Sequence, residues 1–292
     1  MSIFATKSAP WFRLRRVKNL RINITMSNIL SGKKGIISGA LNSESIAWKV
    51  AERCVAEGAQ IVLTNAPVAM RMGEINALAE KCNAPVFGAD ATSMEDLETL
   101  FTKSMDHFGG KMDFVLHSIG MSVNVRKGKP YTDLNHEWMQ KTFDVSAMSF
   151  HKMMQTIWKL DAINDWGSIL ALSYIAAQRV FPDYSEMAES KALLESFARS
   201  FGYHLGTAKH VRVNTLSQSP TMTTAGQGVK GFHDFFNYAD KMSPLGNAPA
   251  EDCANYCVAL FSDYTRYVTM QNLYHDGGFS TMGMNPALIQ NP

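Results

Sequence analysis

The chain has 292 residues, 46% of them hydrophobic and 18% charged, which suits one large α/β domain and not a disordered or low-complexity chain. Its formal net charge of +2 is set by the first 25 residues, where Lys7, Arg13, Arg15, Arg16, Lys18 and Arg21 stand with no acid; the remainder holds 22 basic against 26 acidic residues. A basic excess confined to a leader argues against a nucleic-acid surface on the folded body, and no run of about 18 apolar residues exists for membrane insertion.

The Arg-rich, acid-free leader has the composition of an organelle transit peptide. The folded pattern, however, begins directly after Met26, in "MSNILSGKKGIISG". The preferred reading is that residues 1–25 are disordered or precede the true start, with residues 26–292 forming a single domain. Cys54, Cys82, Cys253 and Cys257 fit no zinc spacing and no disulfide framework, so no metal is expected and the cytoplasm is the expected location.

From Lys33 onward, short apolar runs alternate with helical patterns. "KKGIISGA" reads as a strand, "SIAWKVAERCVAEG" as a helix closed by Gly58, and "AQIVLTNA" as a second strand. "MRMGEINALAEKC" reads as one helix, "APVFGAD" as a third strand, "MEDLETLFTKSMDHFG" as a helix and "MDFVLHSIG" as a fourth strand. Further strands are expected at "GSILALS", "VRVNTLS" and "QNLYHDGG". Continuous apolar strands alternating with helices mean a parallel sheet covered on both faces. The expected fold is therefore α/β, a doubly wound Rossmann-type sheet that binds ligands beyond the carboxyl ends of its strands.

"SGALNSESIA" leaves the first strand and opens the first helix without a G-x-G-x-x-G pattern. Gly39 can turn the chain sharply, and Ser45 and Ile46 place free N–H groups where a pyrophosphate is welcome. Asp90 could accept from an adenine amino group or cap the next helix. In "HSIG", Gly120 allows a ribose to approach the backbone, while His117 reads as a hydrogen-bonded structural residue. Neither an acid nor an Arg stands beside "TNAP" at the end of the second strand, which favours NADH over NADPH.

The segment from Thr221 to Ser243 is rich in Gly and aromatics and follows a strand end. It reads as a substrate-binding lid, over about residues 217–245, with a partly helical tip. Met222, Phe232, Phe235, Phe236 and Tyr238 give it an apolar face suited to an apolar ligand. "RKGK", from Arg126 to Lys129, is either a solvated loop or a patch that steers an acidic partner.

These pieces together, with "LSY", "FPDYSEMAESKA", "VRVNTLSQSPTMT" and "HDGGFS", resemble the NADH-dependent enoyl-acyl-carrier-protein reductases of the short-chain dehydrogenase type, enzymes of bacterial fatty-acid synthesis. The resemblance runs from about Leu30 to Asn285. It implies that Tyr184 and Lys191 are catalytic, with Tyr174 beside them in the pocket. It implies that Gly39, Ser45, Ile46, Asp90, Ala91, Ser118, Ile119, Gly120, Lys191 and Thr221 touch the dinucleotide, with Ser122 and the lid residues on the substrate side. It also implies an acyl-carrier-protein-bound enoyl thioester as substrate and a homotetramer. Ala66 departs from the polar residue that relatives often carry near the adenosine.

Tyr184 and Lys191 are seven positions apart, not four as in carbonyl reductases. On one helix that spacing turns through about 700°, which would put both on one face two turns apart. Reducing a C=C conjugated to a thioester needs a hydrogen bond aimed at the thioester oxygen more than an acidic phenol. The spacing therefore suits Tyr184 as that donor and Lys191 as the residue holding the nicotinamide ribose. A carbonyl or alcohol oxidoreductase, or a silent dinucleotide-binding protein, are the competing readings.

Overall fold

The computed structural model describes residues 27–229 and 231–288; the basic leader and the start at Met26 lie outside them. Lys34–Ser38 (β1), Gln60–Thr64 (β2), Met112–His117 (β3), Ile163–Ser173 (β4), Arg212–Gln218 (β5) and Asn272–His275 (β6) form one sheet in the order β2-β1-β3-β4-β5-β6. Every neighbouring pair is parallel. The helices are α1 (Ile46–Ala56), α2 (Pro67–Met72), α3 (Ile75–Cys82), α4 (Met94–Phe108), α5 (Val123–Arg126), α6 (His136–Phe143), α7 (Ser149–Lys159), α8 (Met187–Lys209), α9 (Thr224–Gln227), α10 (Phe232–Met242) and α11 (Ala250–Phe261).

The middles of β1 to β4 are apolar because both faces are covered, whereas β5 buries a polar run, Arg212–Gln218, and β6 at the edge is only partly buried. Side chains alternate across a strand, so Ile37, Leu116, Leu170 and Leu216 pack into one layer with α1, α3 and α11. Their neighbours Ile36, Val115, Ile169 and Val213 pack into the other with α4, α7 and α8. Phe114 and Phe261 stack at 4.6 Å in the first layer. All four cysteines are buried and free, used as small apolar side chains.

Three expected elements differ. "APVFGAD" contributes only the bridge between Val86 and Leu63, since Pro85 beside it has no N–H to continue a ladder. The helix expected over "MRMGEINALAEKC" is two, α2 and α3, parted at Gly73. A Cβ there would meet the Leu41 carbonyl oxygen at 2.6 Å, so a residue with a side chain would push the break away from the first turn. Lastly, Tyr184 is not on the helix of Lys191. It ends a 3-10 turn, Pro182–Tyr184, and Ser185 then adopts φ 44 and ψ −142 before α8 starts at Met187.

At its amino end, β5 begins with Arg212, which is 2% exposed. Its guanidinium donates to the carbonyl oxygens of Leu260, Ser262 and Thr265 and to Thr265 Oγ1, at 2.8–3.1 Å. It thereby occupies carbonyls that the end of α11 leaves unpaired.

Candidate active site

The carboxyl ends of β1, β3, β4 and β5 lie side by side, and the expected site residues follow them. Gly39 has φ +91, and a Cβ built on it would fall 1.9 Å from the Ser118 carbonyl oxygen. The turn after β1 thus crosses the end of β3 with no space between, which only glycine permits. Ser38 Oγ ties the same two strands by donating to the Leu116 carbonyl at 2.7 Å. Ser45 Oγ accepts from the N–H groups of Leu41 and Asn42 at 3.1 and 3.2 Å, so it shapes the turn. It makes no side-chain cap to α1, and the first N–H groups, starting at Ile46, remain for an anion.

The acid at the next strand end has a local task. Asp90 is exposed, and its Oδ1 accepts from the backbone N–H and hydroxyl of Thr92 at 2.9 and 2.8 Å. The cap of α4 is Ser93, which accepts from Asp96 N at 3.2 Å. Ala91 lies partly buried between them. Asn65, at the end of β2, donates to the Ala40 carbonyl at 2.9 Å and so holds the turn after β1.

Ser118 and Ile119 are partly buried and Gly120 is exposed. A Cβ on Gly120 would stand 3.8 Å from Lys191 Nζ. Lys191, 7% exposed, donates to the Leu172 carbonyl at 2.7 Å. Burial pushes its ammonium down to about 8, with Glu195 acting in the opposite direction. At neutral pH the group stays charged and has N–H donors beyond the one it uses.

His117 is fully buried, with Nε2 at 2.8 Å from Ser149 Oγ. Burial first, and the Lys191 charge second, push it down to about 3. It is neutral at physiological pH and is no proton donor. Ser122 differs from its expected place on the substrate side. It is buried, caps α5 by accepting from Val125 N at 3.0 Å, and donates to Glu186 at 2.7 Å. Asn124 and Thr142 donate to the same carboxylate oxygen of Glu186, at 3.2 and 2.8 Å.

Tyr174 and Tyr184 meet with ring centroids 5.1 Å apart. The Tyr174 hydroxyl is buried without a partner among the described residues. Burial, then Tyr184 and Asp276, push its phenol well up; burial alone does so for Tyr184. Both keep their protons at neutral pH and so each has an O–H to donate. Two aromatic residues outside the expected set complete the wall. Phe181 lies 5.5 Å from Tyr174 and 5.1 Å from Phe235, and Phe279 lies 6.4 Å from Tyr238. Phe181 stands three positions before Tyr184, a spacing that a 3-10 turn brings to one side.

The expected lid holds α9 and α10, more helix than a tip. Thr223 caps α9 by accepting from Gly226 N at 3.0 Å. Phe235 reaches Tyr174 at 6.2 Å. Phe232 is instead buried against Gly226, at 3.0 Å from the position of its missing Cβ. Thr224 Oγ1 accepts from Asn42 Nδ2 at 2.9 Å, joining the lid to the turn after β1. Thr221 and Met222 line a cavity of about 500 Å³ with Ser43, Lys49, Phe236 and Pro249.

A family model described as enoyl-(acyl carrier protein) reductase matches residues 39–280. The chain is 32% identical to enoyl-[acyl-carrier-protein] reductase [NADH] 1 of Rhizobium meliloti, over 88% of this chain and 94% of that one. A Rickettsia bellii enoyl-[acyl-carrier-protein] reductase [NADH] is also 32% identical, over 89% and 98%. Among solved structures, an Alistipes finegoldii FabI–NADH complex superposes with a TM-score of 0.89 at 66% identity, covering 91% of this chain and 94% of that chain. The matched stretch starts at the glycine turn after β1 and ends beyond β6, so it takes in every strand end just described: the chain belongs to the family of enoyl-(acyl carrier protein) reductases.

Proposed function

We propose that this protein reduces the trans-2 double bond of an enoyl thioester carried on acyl carrier protein, with NADH as the reductant. The observation that carries the reading is the packing of the protonated Tyr184 against Tyr174, whose buried hydroxyl has no partner among the described residues, at the mouth of a parallel sheet whose first turn is shaped for a dinucleotide.

The residues fit that cofactor. Gly39 allows main chain to approach, the first N–H groups of α1 suit the pyrophosphate, and Gly120 leaves open the space beside Lys191 Nζ where a ribose would sit. NADH supplies the hydride. The chain's own part is to hold and polarise the substrate. As the β-carbon is reduced, negative charge develops on the thioester oxygen, and the Tyr184 O–H donates a hydrogen bond to it. A phenol raised by burial gives this bond without surrendering its proton, which suits a reaction whose final proton goes to carbon. Lys191, which donates to the Leu172 carbonyl, would hold the ribose with a further N–H. Phe181, Phe235 and Phe279 exclude water from the reacting end.

Residues Thr221 to Ser243 serve as the lid in this reading, with Phe235 over the pocket. Exposed Arg126 and Lys127 near its mouth suit an acidic carrier protein. Exposed Trp158 on α7 and Tyr203 on α8 suit subunit contacts in a homotetramer. Among the described residues no helix is long and apolar enough to cross a membrane, in keeping with a cytoplasmic enzyme. The test is NADH consumption with a crotonyl thioester, beside short ketones. Turnover of the thioester alone is the expected result; turnover of ketones alone would sink the reading.

A further inference from the structure

Glu195 lies on α8 one turn beyond Lys191, and its side chain is 4% exposed. One carboxylate oxygen accepts from Ser173 Oγ at 2.7 Å, and the other from Gln178 Nε2 at 3.0 Å. Gln178 Oε1 in turn accepts from the Tyr274 hydroxyl at 2.7 Å, so β6 is bound into the same chain of contacts. Lys191 itself holds the Leu172 carbonyl. Two side chains four apart on one helix face therefore grip Leu172 and Ser173, consecutive residues at the end of β4, and the next residue is Tyr174.

A buried carboxylate costs free energy unless it is compensated. Two neutral donors and an ammonium one helical turn away compensate this one. The attraction is mutual: Glu195 opposes the tendency of burial to strip Lys191 of its proton. The other groups at this strand end do not replace it. His117 is held neutral, and Tyr174 and Tyr184 keep their protons. Asp276 acts on Tyr174, Tyr274 and His275, and its own carboxylate accepts from Gly278 N and Ser280 N. Arg179 acts on Tyr274 and donates to the Gln178 carbonyl.

We propose that Glu195 is a positioning residue of the reaction: through Ser173 it fixes the strand end that carries Tyr174, and through its charge it keeps the Lys191 ammonium available to the nicotinamide ribose. The inference rests on the reductase reading above, in which Lys191 holds the ribose.

The test is calorimetric titration of NADH into wild type, Glu195→Gln and Glu195→Asp between pH 6 and 10, with thermal unfolding of each as a control. Wild-type affinity should weaken as pH rises past the loss of the Lys191 proton. In Glu195→Gln that weakening should begin about one pH unit lower, leaving NADH binding about fivefold weaker near pH 8, approaching tenfold at higher pH, and nearly equal to wild type at pH 6. Glu195→Asp keeps the charge and should restore most of the wild-type profile. An unmoved profile in Glu195→Gln, or a loss of equal size at every pH, overturns the proposal. Should Glu195→Gln not fold, Ser173→Ala and Glu195→Asp decide it. Ser173→Ala removes a neutral bond and must leave the profile in place, while Glu195→Asp, with its charge drawn back, must move it slightly downward; any other pair of results overturns the proposal. Binding is read without turnover, so inactivity of the wild type on enoyl thioesters would count against the reductase reading separately.

Discussion

At the amino end of β5 the buried Arg212 spends its charge on three carbonyls and a hydroxyl, and only its Nε is left over. At the carboxyl end of the same sheet Lys191 is nearly as buried, yet makes one hydrogen bond, to Leu172. Toward the same ends of β2, β3, β4 and β5, Thr64 Oγ1, His117 Nδ1, Tyr174 Oη and Ser217 Oγ are buried without partners among the described residues. Buried polar groups are nearly always hydrogen-bonded, so such a cluster at one end of the sheet has a meaning. The amino end is arranged for stability. The carboxyl end leaves polar groups without protein partners among the described residues, as the proposed ligand site requires.

Removing Arg212 should have the largest effect on folding. Arg212→Met leaves the Ser262 and Thr265 carbonyls without their side-chain donor, with Leu260 still held by Ser168 Oγ, and should cost about 3–5 kcal/mol in urea unfolding. A variant as stable as wild type would break the contrast between the two ends. Tyr184→Phe should do the reverse. It should lower kcat on an enoyl thioester by about 2.7–4 kcal/mol of barrier, the usual loss of one oxyanion donor, and leave the unfolding curve in place.

Lys191→Met sharpens the comparison through pH. Burial lowers the folded-state value to about 8 from an ordinary 10.5. Between those values the unfolded chain binds more protons, so this group makes stability rise with pH across that window and costs most below it. The methionine variant should therefore be more stable than wild type by about 2 kcal/mol at pH 7, after loss of the bond to Leu172. That gain should vanish as pH approaches 10.5, and urea titrations at pH 7 and 10 check it. The smallest effect belongs to Tyr174→Phe. Deleting a buried hydroxyl with no partner should stabilise the protein by about 1 kcal/mol, measured as a higher Tm, while weakening binding of the thioester.

Much of this was legible in the chain itself. The first strands announce their place by their apolar runs, and Gly39 by standing where the first one ends. Tyr184 and Lys191 declare themselves as a pair, but their geometry was hidden. Their separation suits a shared helix face, whereas the phenol is aimed by a 3-10 turn and by Ser185 in a left-handed conformation that no serine advertises. The bridge at Val86 was masked by an apolar run that looks like any strand, although Pro85 already removes a donor. Phe279 and Glu195 were invisible for a different reason: Phe279 meets Tyr238 from 41 positions on, and Glu195 meets Ser173 only once the end of β4 packs on α8.

The crossing of Gly39 over the end of β3 has a consequence for what variation the protein can tolerate. Even the smallest added carbon would strike main chain, so a saturation library at that position should return glycine alone. Asn65, which holds the Ala40 carbonyl, is bound to the same turn, so change is easier at Ala66, partly exposed just beyond β2.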